Sequence, residues 1–272
     1  MEILTFLNYQ GLHYLARNVH SSAIKSSNIG TSRVCHAGPC LSIMPVGRGL
    51  NLKKNEVIKC IPEDIRRLYE VYSFRNADTV LAHTAPDQFA DILYALANFK
   101  LTVAMIKAPG GNESGIPKIF SSLLRPRDWF ETKIQCDLVI KQGIYKHTST
   151  GKSTERIKTI KKRYVDGHKI DYLKGRIALD LEWNSKDQTF DRDLYAMRAF
   201  SECGLIDAGV IITRSQELDD VFTALGLKQK YGASTTWMGK LKYRIHAGRN
   251  GGCPILAFGI KKALISDWPD KT

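Results

Sequence analysis

Short apolar runs rich in β-branched residues alternate with helical stretches along the C-terminal half of the chain, and this alternation restricts the fold more than any other feature. Four runs have the length and composition of strands, at residues 156–165, 177–183, 208–213 and 255–260. Three stretches with helical spacing fall among the later runs, at residues 194–203, 218–225 and 237–247. Strands that alternate with helices pack in layers. We therefore predict an α/β fold in which a mixed β-sheet is flanked by helices.

The N-terminal part of the chain has a different pattern. Residues 2–24 have helical spacing, and a stretch rich in Ser, Gly and Pro follows them. The next predicted elements are a helix from Pro62 through Val71, a helix capped by Thr84 and ending near Phe99, and β-type runs at 101–106 and 130–140. We predict a mainly helical N-terminal region over residues 1–99 and an α/β core over residues 100–272.

The charge balance indicates a polyanionic partner. The 272 residues include 40 Lys and Arg against 27 Asp and Glu, a formal net charge of +13, and 43% of them are hydrophobic. The apolar content excludes a disordered basic tail, and the excess of cations favours nucleic acid over a membrane surface, with an ordinary basic surface as the alternative. No apolar run approaches the roughly 18 residues of a membrane span, and no secretory signal is recognisable. We expect a soluble cytoplasmic protein whose scattered cysteines are reduced thiols.

The basic residues concentrate in one part of the chain. Nine Lys or Arg fall within residues 141–170, against two acids, Glu155 and Asp166. Contact with a nucleic-acid backbone explains such a run, and a solvated surface is the alternative. The residues predicted to contact DNA here are Lys158, Lys161, Lys162, Arg163, His168 and Lys169.

Acidic residues follow directly after the basic run. In a strand, Asp180, Glu182 and Asn184 share one face, because successive side chains point to opposite sides. Two carboxylates side by side repel each other, and Asp171 adds a third nearby in sequence. A divalent cation removes this conflict, and hard oxygen ligands suit Mg²⁺. The alternative is an edge strand with its acidic face in water.

These residues resemble a known signature. The order Asp171, eight residues, Asp180-x-Glu182 resembles the PD-(D/E)xK nuclease motif, with Ile170 in the place of the Pro. The longer string over 170–174, 178–187 and 190–194 resembles the BglII-like branch of type II restriction endonucleases, and the resemblance continues through 209–214 and 248–258. It implies that the core over 100–272 is a PD-(D/E)xK nuclease core. It also implies a homodimer that cuts both strands of duplex DNA at a short specific site through Mg²⁺-activated water, leaving 5′-phosphate and 3′-hydroxyl ends.

The resemblance also implies roles for individual residues. Asp171 is the first metal ligand, Asp180 the second, and Glu182 stands where the family usually has Lys. A second register is open, in which Glu182 is the second ligand and Asn184 takes the place of the Lys. Lys186 lies on the same face if the strand continues, where it stabilises the leaving oxygen.

Two Gly-rich segments carry further candidates. Glu113, ahead of a predicted helix at 116–124, can lend a carboxylate to the metal, and the alternative is a plain helix entry. Arg249 and Asn250 have the chemistry to read a guanine or adenine edge, and a simple loop is the alternative.

Two other functions remain open at this stage. One is a repair or structure-specific nuclease with the same site, and the other is a basic DNA-binding protein that does not cleave. Carboxylates in a DNA groove weaken binding, so the acidic cluster disfavours the second. We expect double-stranded DNA as the partner, Mg²⁺ as the cofactor, a prokaryotic cytoplasmic location, and neither membrane association nor a small organic cofactor.

Overall fold

The computed structural model describes residues 60–109 and 115–269, and these form one six-stranded mixed sheet. The strands are β1 (Tyr69–Phe74), β2 (Phe130–Thr148), β3 (Gly151–Lys174), β4 (Ile177–Leu181), β5 (Ala208–Arg214) and β6 (Ile255–Ile260). Their order across the sheet is β1-β6-β5-β4-β3-β2. The central strands β4, β5 and β6 are parallel to one another, and the outer neighbours pair antiparallel. The predicted mixed sheet is confirmed.

Helices cover both faces of this sheet. Their bounds are α1 (Glu63–Leu68), α2 (Ala77–Thr84), α3 (Pro86–Asn98), α4 (Val103–Lys107), α5 (Gly115–Leu124), α6 (Thr189–Glu202), α7 (Leu218–Ala224) and α8 (Met238–His246). Short 3₁₀ turns lie at Arg125–Arg127 and Lys262–Leu264. Among the described residues, no helix has the length and apolar character to cross a membrane.

Alternate residues of the buried strand β4 pack into two different cores. Leu179 and Leu181 belong to the core that includes Ile65 of α1 and Phe120 of α5. On the opposite side, Ala178 belongs to the core built with α6 and α8, whose apolar residues include Phe190, Leu194, Leu241 and Ile245. Because side chains alternate along a strand, Asp180 lies on the same side as Ala178 and faces the α6 layer.

The predicted elements of the C-terminal half are confirmed, with β6 at the predicted residues and the helices within a few residues of their predicted ends. The helix predicted from Pro62 through Val71 is wrong beyond Leu68, because Val71 pairs with Phe258 in the β1–β6 ladder. Thr84 ends α2 instead of capping α3. The strand predicted at 101–106 is also wrong: the Thr102 hydroxyl accepts a hydrogen bond from the Met105 backbone N–H and starts α4.

Residues 60–99, part of the predicted N-terminal region, contribute β1 and the helices α1 to α3. Strand β1 is hydrogen-bonded to β6, so these residues take part in the sheet. The helix predicted at 2–24 and the rest of residues 1–59 lie outside the described residues.

Strands β2 and β3 are much longer than the sequence pattern predicted. They pair with each other from Phe130 to Thr148, whereas β3 pairs with β4 only over residues 172–174. The stretch from Leu138 to Lys161, which we name the ribbon, is therefore two-stranded. At about 3.4 Å per residue, each of its strands is about 35 Å long.

Candidate active site

Asp171 and Asp180 lie on the neighbouring antiparallel strands β3 and β4 and are joined through the backbone. The Asp171 N–H donates to Asp180 Oδ1 at 2.9 Å, and the Leu181 N–H donates to Asp171 Oδ2 at 3.1 Å. One oxygen of each carboxylate thus accepts a hydrogen bond from a backbone N–H of the neighbouring strand. Asp180 Oδ2 is buried and has no hydrogen-bond partner.

Glu182 follows the last residue of β4 and is anchored by its main chain. Its N–H donates to the Ile212 carbonyl at 2.8 Å, and its carbonyl accepts hydrogen bonds from the hydroxyls of Thr213, at 2.7 Å, and Thr236, at 3.1 Å. The Thr189 hydroxyl donates to Glu182 Oε2 at 3.3 Å. The buried Glu182 carboxylate is therefore held between the sheet and the start of α6.

Asn184 and Lys186 do not continue the strand face that the sequence predicted. Strand β4 ends at Leu181, since the chain then follows the 231–236 loop, with Thr236 N–H donating to the Ser185 carbonyl at 3.0 Å. Asn184 Nδ2 donates to the Lys230 carbonyl at 3.2 Å, and Lys186 is exposed. The prediction that Asp180, Glu182 and Asn184 share one strand face is thus wrong for Asn184.

The structure adds Asp193, which the sequence analysis did not select. Asp193 lies on α6 with its side chain only 1% exposed, and Arg192 Nη2 lies 3.2 Å from its Oδ1. It occupies a position in the buried helical stripe that includes Phe190, Leu194 and Met197. An acid within an apolar stripe of helical spacing was the signal that could have found it.

His168 also belongs to this site, although the sequence analysis assigned it to a DNA contact. Its side chain is 10% exposed, and its Nε2 lies 3.7 Å from Asp193 Oδ1, too far for a hydrogen bond. One ligand atom each of His168, Asp180 and Asp193 lies within 4.8 Å of the other two. We call Asp171, Asp180, Glu182 and Asp193 the acidic centre.

Burial dominates the electrostatics of the acidic centre. Burial, reinforced by the charge of Asp171, raises the pKa of Asp180 to about 8. Burial and the charges of Asp180 and Glu182 raise the pKa of Asp193 to about 9. Burial also raises the pKa of Asp171 and of Glu182. Among the described cations, only Arg192 lowers the pKa of all four acids. Ionisation of all four carboxyls is therefore unfavourable without a cation, and a divalent cation would offset their repulsion.

Burial also acts on His168, in the opposite direction. It lowers the pKa of the imidazole to about 4, with the nearby Arg192 charge as a smaller cause. The ring is therefore neutral near pH 7 and can act as a ligand.

The ribbon separates its charges by face, because directly paired residues of two strands share a face. One face presents cations without an acid, and we name it the basic face: Lys141, Lys152, Arg156 and Lys158. The other face carries a strip that we name the aliphatic face: Leu138, Ile140, Ile144 and Ile157. The same side of the ribbon also carries Lys146 and Glu155, whose side chains form an ion pair with an N–O distance of 2.6 Å.

The predicted DNA contacts of this region are distributed over different surfaces. Lys158 lies on the basic face, whereas Lys161 pairs with Leu138 on the opposite side. Lys162 and Arg163 lie where the register shifts, and Arg163 has a φ of 53° with its N–H donating to Asp137 Oδ1 at 2.8 Å. Lys169 is exposed and pairs with Glu131 at 2.8 Å.

The remaining predicted residues lie away from the acidic centre or outside the described part. Arg249 has an exposed side chain whose Nε lies 3.5 Å from Asp191. Asn250 is buried, with its Nδ2 donating to the Cys253 carbonyl at 2.8 Å, so its side chain does not reach a base edge in this conformation. Glu113 lies outside the described residues.

Comparison with known proteins identifies the family. The profile of the restriction endonuclease BglII/BglIII family matches residues 69–260, which span strand β1 to strand β6. No curated protein is significantly similar to the chain. The match covers more than half of the chain and includes all four acids of the acidic centre. The chain is therefore a site-specific endodeoxyribonuclease that belongs to the restriction endonuclease BglII/BglIII family.

Proposed function

We propose that this endonuclease depends on Mg²⁺ and uses the acidic centre to cut both strands of duplex DNA at a short site, as a PD-(D/E)xK enzyme. The observation that carries the proposal is the convergence of four acids on one side of the sheet, around Asp180 Oδ2, which is buried without a partner. Such a centre is costly for a fold without a cation, because buried carboxylates that repel each other stabilise nothing.

Asp171, Asp180 and Glu182 fit the role of metal-binding residues. The first two lie opposite each other on β3 and β4, and the third is fixed at the end of β4 by Thr213 and Thr236. Bound Mg²⁺ would lower the pKa of a water molecule and offset the negative charge that develops at the phosphate. The three carboxylates would hold the cation. In this assignment Asp180 is the second carboxylate ligand. In the alternative register Glu182 is the second ligand and Asn184 takes the place of the Lys.

We propose that the basic face of the ribbon contacts the DNA backbone. Lys141, Lys152, Arg156 and Lys158 form a strip of like charge that no acid on the same face neutralises. Strand β3 runs from this face into Asp171, so the basic strip and the acidic centre belong to one continuous strand. The ribbon's length of about 35 Å corresponds to about one helical turn of duplex DNA.

Dimerisation follows from the double-strand cut. One acidic centre acts on one phosphate at a time, whereas cleavage of a duplex needs two phosphates on antiparallel strands, and a two-fold dimer supplies the second centre. The aliphatic face is our candidate for the interface with a second copy, because its apolar residues lie on the side of the ribbon opposite the face that we propose contacts DNA.

The dimer interface is tested by Ile144→Glu. We expect wild-type protein to scatter light as a particle of about twice 30.6 kDa and the variant to approach the mass of a single chain. Thr154→Glu, on the basic face, introduces the same charge as a control and should remain a dimer. A dimeric Ile144→Glu protein would place the interface elsewhere.

The proposed function is tested by incubating the protein with a plasmid of known sequence and Mg²⁺, then mapping the ends. We expect discrete linear fragments, and none with EDTA or with the Asp180→Asn variant. Single-strand nicks made by a monomer would favour the repair or structure-specific nuclease instead. DNA binding without any cleavage would favour the non-cleaving alternative.

A further inference from the structure

We propose that the centre also contains a second cation site, formed by His168, Asp180 and Asp193, which takes a first-row transition-metal dication of the Mn²⁺ or Zn²⁺ class. The inference rests on the proposed function, because Asp180 is shared with the Mg²⁺ position. It goes further by assigning a ligand role to the imidazole and to an acid of α6.

Two members of this triad have a buried atom without a hydrogen-bond partner, His168 Nε2 and Asp180 Oδ2. Asp193 Oδ2 also has none when both carboxyls are ionised, whereas a proton shared with Glu182 would supply one. The Asp180 and Asp193 residues are 3% and 1% exposed, and the His168 side chain is 10% exposed. The other carboxylate oxygens are already used, Asp180 Oδ1 by the Asp171 N–H and Asp193 Oδ1 by Arg192. Buried polar atoms normally have partners, so two such atoms in one place point to a missing ligand.

The distances suit one ion. One ligand atom from each of the three residues lies within 4.8 Å of the other two. Two ligands at about 2.1 Å from the same ion are at most about 4.2 Å apart. Three ligands evenly spaced around one ion at that distance are about 3.6 Å apart, so binding requires the separations within the triad to shrink by up to about 1.2 Å.

The type of donor selects the ion. Mg²⁺ takes oxygen ligands and keeps several waters, so an imidazole nitrogen contributes little to its binding. Imidazole together with carboxylates suits transition metals, and a neutral ring is required. Three elements contribute one ligand each, β3, β4 and α6, so the site exists only in the folded chain.

The test uses Mn²⁺ alone with the full chain, without DNA. We expect two Mn²⁺ per chain by titration, and pulsed electron paramagnetic resonance should show nitrogen coupling to a bound Mn²⁺. His168→Gln should remove that coupling and weaken one of the two sites at least about tenfold, as loss of a ligand or its support typically does. Asp193→Asn, which keeps the side-chain shape, should weaken the same site, while His83→Gln on the exposed part of α2 should change neither signal.

Wild-type protein without nitrogen coupling overturns the proposal, as does coupling that persists in His168→Gln. If either result is obtained while Mg²⁺-dependent cleavage remains intact, the proposed function stands and only the proposal of a second cation site is wrong. Failure of the proposed function itself would appear separately, as the absence of cleavage in Mg²⁺ whatever the Mn²⁺ spectrum shows.

Discussion

The acidic centre and the ribbon are both clusters of like charge, yet they occupy opposite environments. In the centre, Asp180, Glu182 and Asp193 are buried, and burial is the largest cause of the raised pKa of each. On the ribbon, Lys141, Lys152 and Arg156 are exposed. Charge in a buried site acts through a few specific contacts, whereas exposed charge acts additively and is screened by salt. We therefore expect a single substitution in the acidic centre to abolish cleavage. Each substitution on the ribbon should weaken DNA binding by a small amount.

The largest expected effect is the loss of cleavage in Asp171→Ala or Glu182→Ala. Each variant removes a carboxylate that we propose binds the metal, so we expect the cleavage rate to fall by at least about 10³-fold, a loss of the order seen when a preorganised electrostatic group is removed. Metal-free DNA binding should be retained or tighter, because a negative charge near the phosphates is gone. Gel-shift and plasmid assays measure the two properties, and normal cleavage by either variant ends the assignment.

Comparing Asp180→Asn with Asn184→Ala sharpens the assignment within the centre. Asp180 faces α6 from the middle of the sheet, while the Asn184 side chain bonds to the Lys230 carbonyl in a loop. We expect Asp180→Asn to lose most activity and Asn184→Ala to lose little, as measured by single-turnover cleavage. The reverse ranking would favour the register in which Glu182 is the second ligand.

A smaller, graded effect is expected on the ribbon. Arg156→Gln and Lys158→Gln together should weaken specific and non-specific DNA binding alike and reduce the log-log salt slope by about 0.9 for each phosphate that is no longer neutralised. Lys146→Gln with Lys161→Gln, on the opposite face, is the matched control. Equal slopes for the two sets, from anisotropy titrations in increasing NaCl, would show that the faces do not differ.

Stability should depend on pH in the metal-free protein. The folded pKa values of Asp180 and Asp193, about 8 and about 9, lie above the unfolded value near 3.9, so their contribution is fully present at low pH and is lost as pH rises through the folded values. For His168 the sign is opposite, because its folded pKa is about 4: its contribution is present above about pH 6.5 and is lost as pH falls. Of these three residues, only the two acids therefore change stability above about pH 6.5.

The measurement is urea unfolding in EDTA between about pH 6.5 and 8. Each acid protonated only in the folded state contributes a slope of about 1.4 kcal/mol per pH unit. Asp193→Asn should therefore unfold with a shallower pH dependence than wild type, and Asp91→Asn, outside the centre, serves as the control. Parallel slopes for wild type and Asp193→Asn would contradict the raised pKa of Asp193.

The sequence by itself determined what depends on local periodicity. The runs at 177–183, 208–213 and 255–260 predicted strands from their length and composition, and the structure has the parallel strands β4, β5 and β6 there. The alternation along β4 also set Asp180 apart from Leu179 and Leu181. The resemblance to the PD-(D/E)xK motif paired Asp171 with Asp180, and the structure joins these two acids across β3 and β4. Each of these inferences concerns residues that are near in sequence or follow one strand.

Only the tertiary structure decided which distant residues join them. Val71 is extended because β6 offers it a partner, and Asn184 leaves the strand because the 231–236 loop binds the chain after Glu182. Asp193 and His168 reach Asp180 because α6 packs on one face of the sheet while β3 passes beside β4. The physical reason is that strand and helix periods fix the direction of a side chain relative to its own element, whereas the packing of elements determines what that side chain meets.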